Sequence, residues 1–479
     1  MANSRLEKLR LKKGICTPLT FGTIAILLMT SYASAPTSPA SPQKNERQIT
    51  KEACGHVLTN TGVWSPDGYW LVYDTRHEGT GSGFNGNYIE MVNVDTGEVK
   101  RLFESRNGAN CGVVTFNPRE PKVVFILGPE NPTAEWEYSM WHRQGVIVDT
   151  NKPGQSVNLD ACDVTPPFTP GALRGGSHVH VWDSAGEWVS FTYEDHVLAQ
   201  FKEPAETRDV NLRNIGISVP GHAVRVKKDH PRNRDSDYFT VLVTRTTASP
   251  KPGTDEISKA YEEGWVGTNG YVRSDGTRQK RALAFQGNVM TQNHQTISEV
   301  FIVDLPEDVT IAGEGPLGGT PTRMPYPPKG AVQRRLTFTA ERKFPGLQGP
   351  RHWLRSSPDG SQIAFLMKDE NGIVQLWTIS PNSGQPRQLT HNQWSVSSAF
   401  TWSPDGRFIT HAMDNSICLT DTQSGKMSRL TSRSTDADAP LSEACVFSPD
   451  GKTIAFLRRV PAPGGIFSQI FTVAGVSEF

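Results

Sequence analysis

A short hairpin motif recurs along the chain, and it constrains the fold more than any other feature. A Ser-Pro-Asp-Gly turn, or a close variant, follows an aromatic or small residue and precedes a strand of alternating hydrophobicity. Proline presets φ, aspartate accepts hydrogen bonds from the turn backbone, and glycine takes the position with positive φ. The copies are "WSPDGYWLVYDTR" from Trp64, "FNPREPKVVFIL" from Phe116, "WDSAGEWVSFTYE" from Trp182, "SSPDGSQIAFLMK" from Ser356, "WSPDGRFITHAMD" from Trp402 and "FSPDGKTIAFLRR" from Phe447.

Further strand signals follow each hairpin. Segments such as "NYIEMVNVDTGEVKRLFE" and "SICLTDTQSGKMSRLTS" each read as two more strands around a turn. Four antiparallel strands in a repeat of about 45 residues are typical of the blades of a β-propeller. The sequence therefore predicts an all-β chain that forms a single propeller of four-stranded blades.

The positions of the repeats predict the number of blades. Three repeats lie before about residue 230 and three after about residue 345. Between them, "DYFTVLVTRT", "KRALAFQGNV", "EVFIVDLP" and "RRLTF" supply four strands for one larger blade with inserted loops. We therefore predict seven blades, with six or eight as the alternatives, and an irregular inserted region over 230–345.

The two ends of the repeat array predict how the ring closes. The hairpin from Phe447 is followed by "GIFSQIFTV", which leaves the last blade one strand short. The segment "RQIT" at Arg47 resembles the outer strands "RRLTF", "RQLTH" and "SRLTS", yet it precedes the first hairpin. We expect this N-terminal strand to complete the last blade and remove a free sheet edge. The propeller domain is then 47–479.

The N-terminal segment has the pattern of an export signal. Basic residues precede the apolar run "TFGTIAILLMTSYASA", which ends in small residues. This order is typical of a secretory signal peptide. We predict a signal peptide over 1–35, a linker over 36–46 and a periplasmic or secreted location. An uncleaved membrane anchor is the alternative.

Charge and cysteine content narrow the choice of partners. Lys+Arg and Asp+Glu both number 49, and this balance argues against a nucleic-acid-binding surface. Five cysteines follow the apolar run, so at least one is unpaired, and the others are either disulfide-bonded or buried thiols. The expected partner is a small-molecule or oligosaccharide ligand, or an envelope protein, and the expected state is a monomer.

Aligning the repeats places several polar residues at equivalent positions of the innermost strands. In a propeller, the starts of these strands surround one mouth of the central channel. We therefore predict a ring of polar side chains at that mouth, with His56 and Arg351 next to it in sequence. The members four positions before the turn start are Asn60, His178, His352, Ser398 and Glu443, and His180 lies two positions before it.

Two interpretations of this ring remain open. In one, it binds a divalent transition metal (Mn, Zn or Fe), because imidazole and carboxylate ligands suit these ions. The H-x-H spacing would place two imidazoles on one strand face. In the other, the polar side chains form hydrogen bonds with the backbone at the strand ends and with water in the channel. The first interpretation assigns the metal to His178, His180, His352 and Glu443, and the ligand to Asn60, Ser398 and Arg351.

The repeats also resemble known propeller families. The hairpins with "IAFLMKD" or "IAFLRR", together with "RQLT" strands, resemble the propeller of the TolB family. Over nearly the whole chain, "GHVLTNTGVWSPDGYWLVYDTR", "LRGGSHVHVWDSAGEWVSFTYEDHVLA" and "GLQGPRHWLRSSPDGSQIAFLMKD" resemble the YidR-like propellers, which have no established activity. A more distant resemblance is to oligogalacturonate lyases, which are seven-bladed propellers with a histidine-rich metal site at the channel mouth.

The lyase resemblance implies a specific chemistry. The metal would neutralise a uronate carboxylate and make the neighbouring C–H more acidic. His56 or His196 would remove that proton, and Arg351 would hold the carboxylate bidentately. We therefore expect an exported propeller that binds an anionic carbohydrate at a His-lined channel mouth, with metal-dependent lyase activity as one hypothesis. The alternative is a non-catalytic, TolB-like scaffold that binds a protein in the cell envelope.

Overall fold

The computed structural model describes residues 46–77, 83–350 and 353–476, which all belong to one compact unit over 43–479. Apart from a 3-10 helix at Met140–His142 and the short helix α1 (His196–Ala199), the regular structure of these residues is β-strand. No helix in the described ranges is long and apolar enough to cross a membrane. The predicted signal peptide lies outside the described residues.

Seven four-stranded antiparallel sheets form the propeller, and each runs from an innermost to an outermost strand. The N-terminal strand is β1 (Glu46–Gln48). Blade one contains β2 (Gly55–Val57), β3 (Trp70–Arg76), β4 (Tyr88–Asn93) and β5 (Val99–Glu104). Blade two contains β6 (Cys111–Phe116), β7 (Lys122–Leu127), β8 (Gln144–Asp149) and β9 (Ser156–Asn158).

The middle of the chain forms two longer blades. A parallel pair, β10 (Ala161–Cys162) and β11 (Ala172–Leu173), precedes the third blade. Blade three contains β12 (Gly175–Trp182), β13 (Val189–Asp195), β14 (Asn214–Val224) and β15 (Ser236–Leu242). Blade four contains β16 (Ile257–Trp265), β19 (Ala282–Met290), β20 (Thr296–Asp304) and β21 (Val332–Arg335), with the small hairpin β17 (Tyr271–Val272) and β18 (Arg278–Gln279) inserted.

The last three blades follow the repeat closely. Blade five contains β22 (Arg355–Ser356), β23 (Ile363–Lys368), β24 (Val374–Ile379) and β25 (Arg387–Gln388). Blade six contains β26 (Thr401–Trp402), β27 (Phe408–Met413), β28 (Ser416–Asp421) and β29 (Met427–Arg429). Blade seven contains β30 (Cys445–Phe447), β31 (Thr453–Ala462), β32 (Gly465–Ala474) and β1.

The N-terminal strand closes the ring as the sequence predicts. β1 pairs antiparallel with β32, with Arg47 opposite Thr472. The pairing is extended by Ile49, whose N–H donates to the Ile470 carbonyl at 2.7 Å. The seven-bladed fold and its closure are therefore confirmed.

One strand assignment was wrong. The segment "DYFTVLVTRT" begins within β15, the outermost strand of blade three, and not in blade four. The innermost strand of blade four is instead β16, "ISKAYEEGW". Two register shifts interrupt its pairing with β19. Because these irregularities and several polar residues break the alternating pattern, the sequence did not reveal β16 as a strand.

The tryptophans at the turn starts connect neighbouring blades. The indole N–H of Trp402 donates to the carbonyl of Arg355 at 3.0 Å, and that of Trp265 donates to Val181 at 3.0 Å. Trp64 makes the same bond across the ring closure, to Val446 at 3.1 Å. A buried hydrogen bond of this kind contributes about 1 kcal/mol. At Trp64 and Trp402, the aromatic residue of the hairpin motif is therefore a contact between blades.

Three consecutive innermost strands carry a bulge with a left-handed residue. In β6, β12 and β16 the pairing register shifts, and Val113, Val179 and Glu262 have φ of 59°, 57° and 57°. This conformation costs a side-chain-bearing residue about 1–2 kcal/mol. The bulges change which way the following side chains point, and so they shape the channel in blades two to four.

All five described cysteines are free thiols, and four of them are buried. Burial raises the pKa of Cys111, Cys418 and Cys445 to about 12 in each case. Of the two alternatives, the structure favours buried thiols over disulfides for these residues.

Candidate functional site

The bulge in β12 separates the two histidines of the H-x-H motif. His178 pairs with Thr192, and the register then shifts before Val181. His180 contacts the Ser177 hydroxyl through Nε2 at 2.9 Å, so it shares a face with Ser177, the residue adjacent to His178. Since neighbouring strand residues point to opposite faces, the two imidazoles do not share a face, contrary to the spacing argument.

His178 lies in a buried and strongly cationic environment. It is 8% exposed, and its Nδ1 has no hydrogen-bond partner in the described structure. Burial, followed by the charges of Arg143, Arg213 and Lys259, holds the pKa of His178 well below its usual range. The three cations come from blades two, three and four, so consecutive blades surround one neutral imidazole.

Backbone hydrogen bonds between blades position two of these cations. The carbonyl of Arg143 accepts from the N–H of Ser177 at 3.4 Å, and that of Arg213 accepts from Ala260 at 3.0 Å. Each arginine is therefore held beside the innermost strand of the next blade. Arg213 also forms an ion pair with Glu194 at 2.7 Å, which offsets part of its charge.

The other two cations contact aromatic rings. The Arg143 Nε–H donates to the Tyr138 hydroxyl at 2.9 Å, and its guanidinium lies 5.8 Å from the ring of Phe84. The Lys259 ammonium lies 4.1 Å from the ring of Tyr261. Among the described residues, no carboxylate lies within ion-pair distance of either cation. We call Arg143, His178, Arg213 and Lys259, with Tyr138 and Tyr261, the rim site.

The rim site has the chemistry of a receptor for anions. Half-buried cations without direct counter-charges attract a carboxylate more strongly than fully hydrated ones, because less water screens the interaction. The tyrosine rings offer faces for an apolar or sugar surface. The neutral imidazole can accept a proton or a hydrogen bond. The site therefore suits a ligand that combines carboxylates with ring surfaces.

His56 has the opposite protonation tendency. It is 1% exposed, and its Nε2 lies 3.3 Å from a carboxylate oxygen of Glu52 and 3.9 Å from the sulfur of Cys54. Burial lowers the pKa of His56, but the contacts with Cys54 and Glu52 outweigh it and raise the pKa to about 9. A base must be unprotonated at working pH, so this environment suits a proton donor better than the predicted base.

His196 lies in a separate cluster of rings. Its Nδ1 is 2.9 Å from Nε2 of His142, whose Nδ1 is 2.6 Å from the Glu137 carbonyl. Because that carbonyl requires a donor, the network assigns the His142 proton to Nδ1 and makes His196 the donor to Nε2. Both imidazoles pack on Trp136, with ring centroids 3.9 Å and 4.4 Å away. Burial, together with His142 and His230, lowers the pKa of His196 to about 4.

A groove beside this cluster is spacious but has a mixed charge. Its volume is about 720 Å³, and its lining includes Trp136, His142 and Arg232. Four arginines line it, at positions 101, 106, 232 and 234, together with the carboxylates of Glu104 and Glu130. Because two of these arginines form ion pairs with Glu90 and Asp160 and His178 does not line the groove, it is a weaker candidate than the rim site.

Two predicted ligand-binding residues have internal partners. Ser398 is fully buried, and its hydroxyl donates to the Ala399 carbonyl and accepts from the Ala412 N–H, both at 2.7 Å. Its contacts are those of a residue that stabilises its own blade. Asn60 is buried, and its side-chain oxygen accepts from the guanidinium of Arg355 across the channel.

The described residues do not bring together a metal centre. Arg351 and His352 lie outside the described residues, and Glu443 is half-buried in blade seven. No three His, Cys, Asp or Glu side chains in the described ranges are grouped so that they could hold a metal ion. The cations near His178 also disfavour a divalent ion there. The metal assignment to His178, His180, His352 and Glu443 therefore stays a prediction, and we derive no step through a metal.

The alignment of repeats missed the three cations of the rim site. Arg143 and Arg213 directly precede β8 and β14, the third strands of their blades, whereas the alignment compared innermost strands only. Lys259 lies within β16, the strand that the sequence did not reveal. A search for basic residues at every strand start would have found the two arginines.

Seven four-stranded blades closed by the N-terminal strand define the class of this protein as a seven-bladed β-propeller. The chain is 49% identical over 416 residues to "Uncharacterized protein YidR" of Escherichia coli (strain K12), which covers 86% of this chain and 94% of that protein. The chain therefore belongs to the YidR family. Residues 110–234 match the family described as "Protein of unknown function (DUF3748)".

Solved structures with the same fold are distant in sequence. An oligogalacturonate lyase in complex with manganese is 12% identical, with a TM-score of 0.53 over 90% of this chain and 93% of that chain. TolB from Acinetobacter baumannii is 12% identical, with a TM-score of 0.36 over 81% of this chain and 76% of that chain. The lyase comparison supports the propeller fold and nothing finer.

Proposed function

We propose that this protein is an exported propeller that binds an anionic oligosaccharide at the rim site. The observation that carries the proposal is the convergence of Arg143, Arg213 and Lys259 on the buried, neutral His178. The whole chain has no excess of basic residues, so this local concentration of positive charge is not a consequence of composition. The N-terminal basic and apolar pattern supports the exported location.

Uronate oligosaccharides fit this site better than other anions. Arg143 and Lys259 come from different blades, so a ligand with carboxylates on successive sugars can engage both. The rings of Tyr138 and Tyr261 can pack against sugar faces, which a small inorganic anion does not have. The solved lyase with the same fold supports oligogalacturonate as the first ligand to test.

Proton abstraction is a second candidate function. A neutral imidazole with an unpartnered nitrogen, such as that of His178, can take the proton from a carbon next to a uronate carboxylate. The surrounding cations would stabilise the negative charge that develops on that carboxylate. The C–O bond of the neighbouring glycosidic linkage then breaks, the carbon–carbon double bond forms, and the departing oxygen takes up a proton.

Calorimetric titration tests the binding proposal. Trigalacturonate is compared with neutral galactotriose, on wild-type protein and on the Arg143→Gln/Lys259→Gln variant. We expect the acid to bind selectively and its affinity to fall at least about tenfold in the variant, which is about 1.4 kcal/mol. The matched control is Arg278→Gln/Lys280→Gln, which removes the same charge from exposed residues of blade four. Equal binding of the neutral sugar, or equal affinity in both variants, would contradict the proposal.

The lyase candidate has its own test. The ultraviolet absorbance of unsaturated uronates is followed with wild-type protein and with His178→Gln. Catalysis predicts product from the wild type and none from the variant, while binding of trigalacturonate persists in both. Binding without product in the wild type would leave a binding protein only. If no acidic sugar binds at all, the scaffold alternative becomes the better hypothesis.

A further inference from the structure

The opposite mouth of the channel holds a second cavity. Its volume is about 380 Å³, and every one of the seven blades contributes to its lining, so it lies on the propeller axis. The prolines of five hairpin turns and the rings of Trp64, Trp265 and Trp402 line it. We call it the turn-side cavity. Its wall is largely apolar, because the hairpin motif repeats around the ring.

One fixed cation lines this apolar ring. Arg355 lines the turn-side cavity, and its guanidinium is enclosed by protein while part of the residue stays accessible from the cavity. One terminal nitrogen donates to the Leu354 carbonyl at 2.9 Å, and the other donates to the Asn60 side chain. Its Nε has no hydrogen-bond partner among the residues that the structure describes. The guanidinium is therefore oriented but retains donor capacity.

The local backbone makes room for this side chain. Residue 264 of the neighbouring blade is glycine, and a Cβ there would lie 3.3 Å from Nη1 of Arg355 and 2.4 Å from the Leu354 carbonyl oxygen. The Trp402 indole holds the Arg355 carbonyl from the other side. Gly264 therefore leaves room for the Arg355 guanidinium, and the Trp402 bond fixes the Arg355 backbone.

The charge of Arg355 has no direct counter-ion. Within the described parts of the chain, no carboxylate lies within ion-pair distance of it. Burial lowers the pKa of Arg355 to about 10, and Glu263 and Glu262 oppose this from a longer range. A guanidinium with this pKa is still charged at neutral pH. An enclosed and unpaired charge is costly unless it is paired with an anion.

The nearby carboxylates restrict the kind of anion. Glu263 is 1% exposed; one of its oxygens accepts from the Thr192 hydroxyl at 3.2 Å, and the other has no partner in the described part of the chain. Its negative charge, and that of Glu262, would repel a dianion such as phosphate more than a monoanion. The tryptophan and proline walls favour an organic body over a hydrated inorganic ion.

We propose that the turn-side cavity binds a small organic monocarboxylate whose carboxylate pairs with Arg355. The cavity volume limits the ligand to roughly the size of a monosaccharide or a short-chain acid. The turn-side cavity shares no lining residue with the rim site, so the two are separate sites.

Fluorine NMR of protein labelled with fluorotryptophan tests this directly, since three tryptophans line the cavity. Propionate is the probe, propionamide is its neutral counterpart of the same shape, and the Trp402→Phe variant assigns the Trp402 resonance. We expect a saturable shift of that resonance with propionate and none with propionamide. Identical responses to the two compounds, or no saturable response to propionate, would overturn the proposal. So would phosphate binding as tightly as propionate.

Substitutions at Arg355 and Asn60 test whether the guanidinium of Arg355 binds the carboxylate of propionate. Asn60→Asp places a carboxylate on the Arg355 guanidinium in a side chain of nearly the same shape, and Arg355→Met removes the charge. Each substitution is expected to lower the affinity for propionate by at least about tenfold. The control Arg387→Met removes an exposed arginine from the outermost strand of the same blade and should leave affinity unchanged. Unchanged affinity in folded Asn60→Asp protein would overturn the assignment. Arg143→Gln/Lys259→Gln should bind propionate normally, whether or not the rim site binds sugars.

Discussion

At the scale of single residues, two buried histidines, one in blade one and one in blade three, have pKa values shifted in opposite directions by their surroundings. His56 lies beside the carboxylate of Glu52 and has its pKa raised to about 9. His178 lies among cations and has its pKa lowered well below the usual value. Burial lowers the pKa of both imidazoles; the contacts of His56 with Cys54 and Glu52 outweigh it, whereas the cations near His178 act in the same direction as burial. The same residue type therefore supplies a donor at one position and an acceptor at the other.

The His56–Glu52 pair predicts a pH-dependent contribution to stability. The folded pKa of His56 is raised from 6.5 to about 9, so its contribution is complete below 6.5 and is lost as pH rises through 9. The pKa of Glu52 is lowered from 4.5 to about 2 by the bond to His56, so its contribution is present above 4.5 and is lost in acid. We expect Glu52→Gln to lower Tm most between these limits, near about pH 5.5, and little above about pH 9.5.

Thermal denaturation across this pH range is the measurement. The control is Glu98→Gln, which removes an exposed carboxylate that lies 3.4 Å from the ammonium of Lys100. Because this ion pair is on the surface, its loss should change Tm little at any pH. A Tm difference for Glu52→Gln that is constant with pH would contradict the protonated state of His56.

The raised pKa of Glu263 predicts that the affinity of the turn-side cavity for propionate increases in acidic solution. Burial raises the pKa of Glu263 to about 7, and the charged groups that act on it are Arg355 and Glu262. Below this pKa the carboxyl is neutral and no longer repels a bound monoanion. Propionate should therefore bind more tightly at about pH 6 than at about pH 8. In Glu263→Gln the same fluorine NMR titration should lose this pH dependence, and an unaltered dependence would assign it to another group.

At the scale of elements, the bulges decide which side chains meet. A regular β12 would place His178 and His180 on one face, whereas the bulged strand sends His180 towards Ser177 and leaves His178 among the cations. Bulges in antiparallel sheets often re-aim side chains in this way. Their recurrence in three consecutive blades concentrates the irregular backbone beside the rim site.

A glycine substitution tests whether the bulge in β12 is strained. Val179 has φ of 57°, a conformation that glycine adopts without cost. We expect Val179→Gly to change the free energy of unfolding by less than about 1 kcal/mol, because relief of strain offsets the lost side chain. Val181→Gly, two residues along the same strand at ordinary φ, should be destabilising by about 1–2 kcal/mol. Urea denaturation measures both, and equal losses would argue against strain at Val179.

At the scale of the whole molecule, the fold depends on closing the ring with a strand from the other end of the chain. β1 adds the fourth strand of blade seven, and Glu46 pairs with the largely buried Arg458 at 2.7 Å. The closure joins residues more than 400 positions apart in sequence (46 and 458). Contacts between residues so far apart in sequence close a long loop of the chain, which costs conformational entropy. Because β1 precedes blade one and pairs within blade seven, we expect the stabilities of these two blades to be coupled.

Removing one backbone donor tests this closure. Ile49→Pro removes the N–H that bonds to the Ile470 carbonyl at 2.7 Å. We expect a loss of about 1–3 kcal/mol of unfolding free energy and a lower Tm. Ile49→Val keeps the N–H and nearly the same volume, and should cost about 1 kcal/mol or less. Equal effects of the two substitutions would mean that the backbone pairing contributes little to closure.

The sequence was sufficient for the architecture but not for the site. The turn motif is local, so six of the seven blades and the closing strand could be predicted from it. β16 has bulges and polar residues in place of a regular alternation, so the sequence did not predict it as a strand. For that reason "DYFTVLVTRT" was assigned to blade four, although it begins in the outermost strand of blade three. The rim site depends on Arg143 and Arg213 reaching the innermost strand of the next blade, and a spacing within one repeat carries no information about contacts between blades.

Titration of trigalacturonate into wild-type protein and into Arg143→Gln/Lys259→Gln, at low and at physiological salt, tests directly whether the rim site binds an acidic sugar. Binding at the rim site predicts a saturable titration of the wild type that weakens as salt rises, because partly exposed charges contribute to affinity. It also predicts a loss of at least about tenfold in the variant. An affinity for trigalacturonate that changes with neither salt nor the two substitutions, or no binding of the acidic sugar at low salt, would contradict the assignment of the rim site.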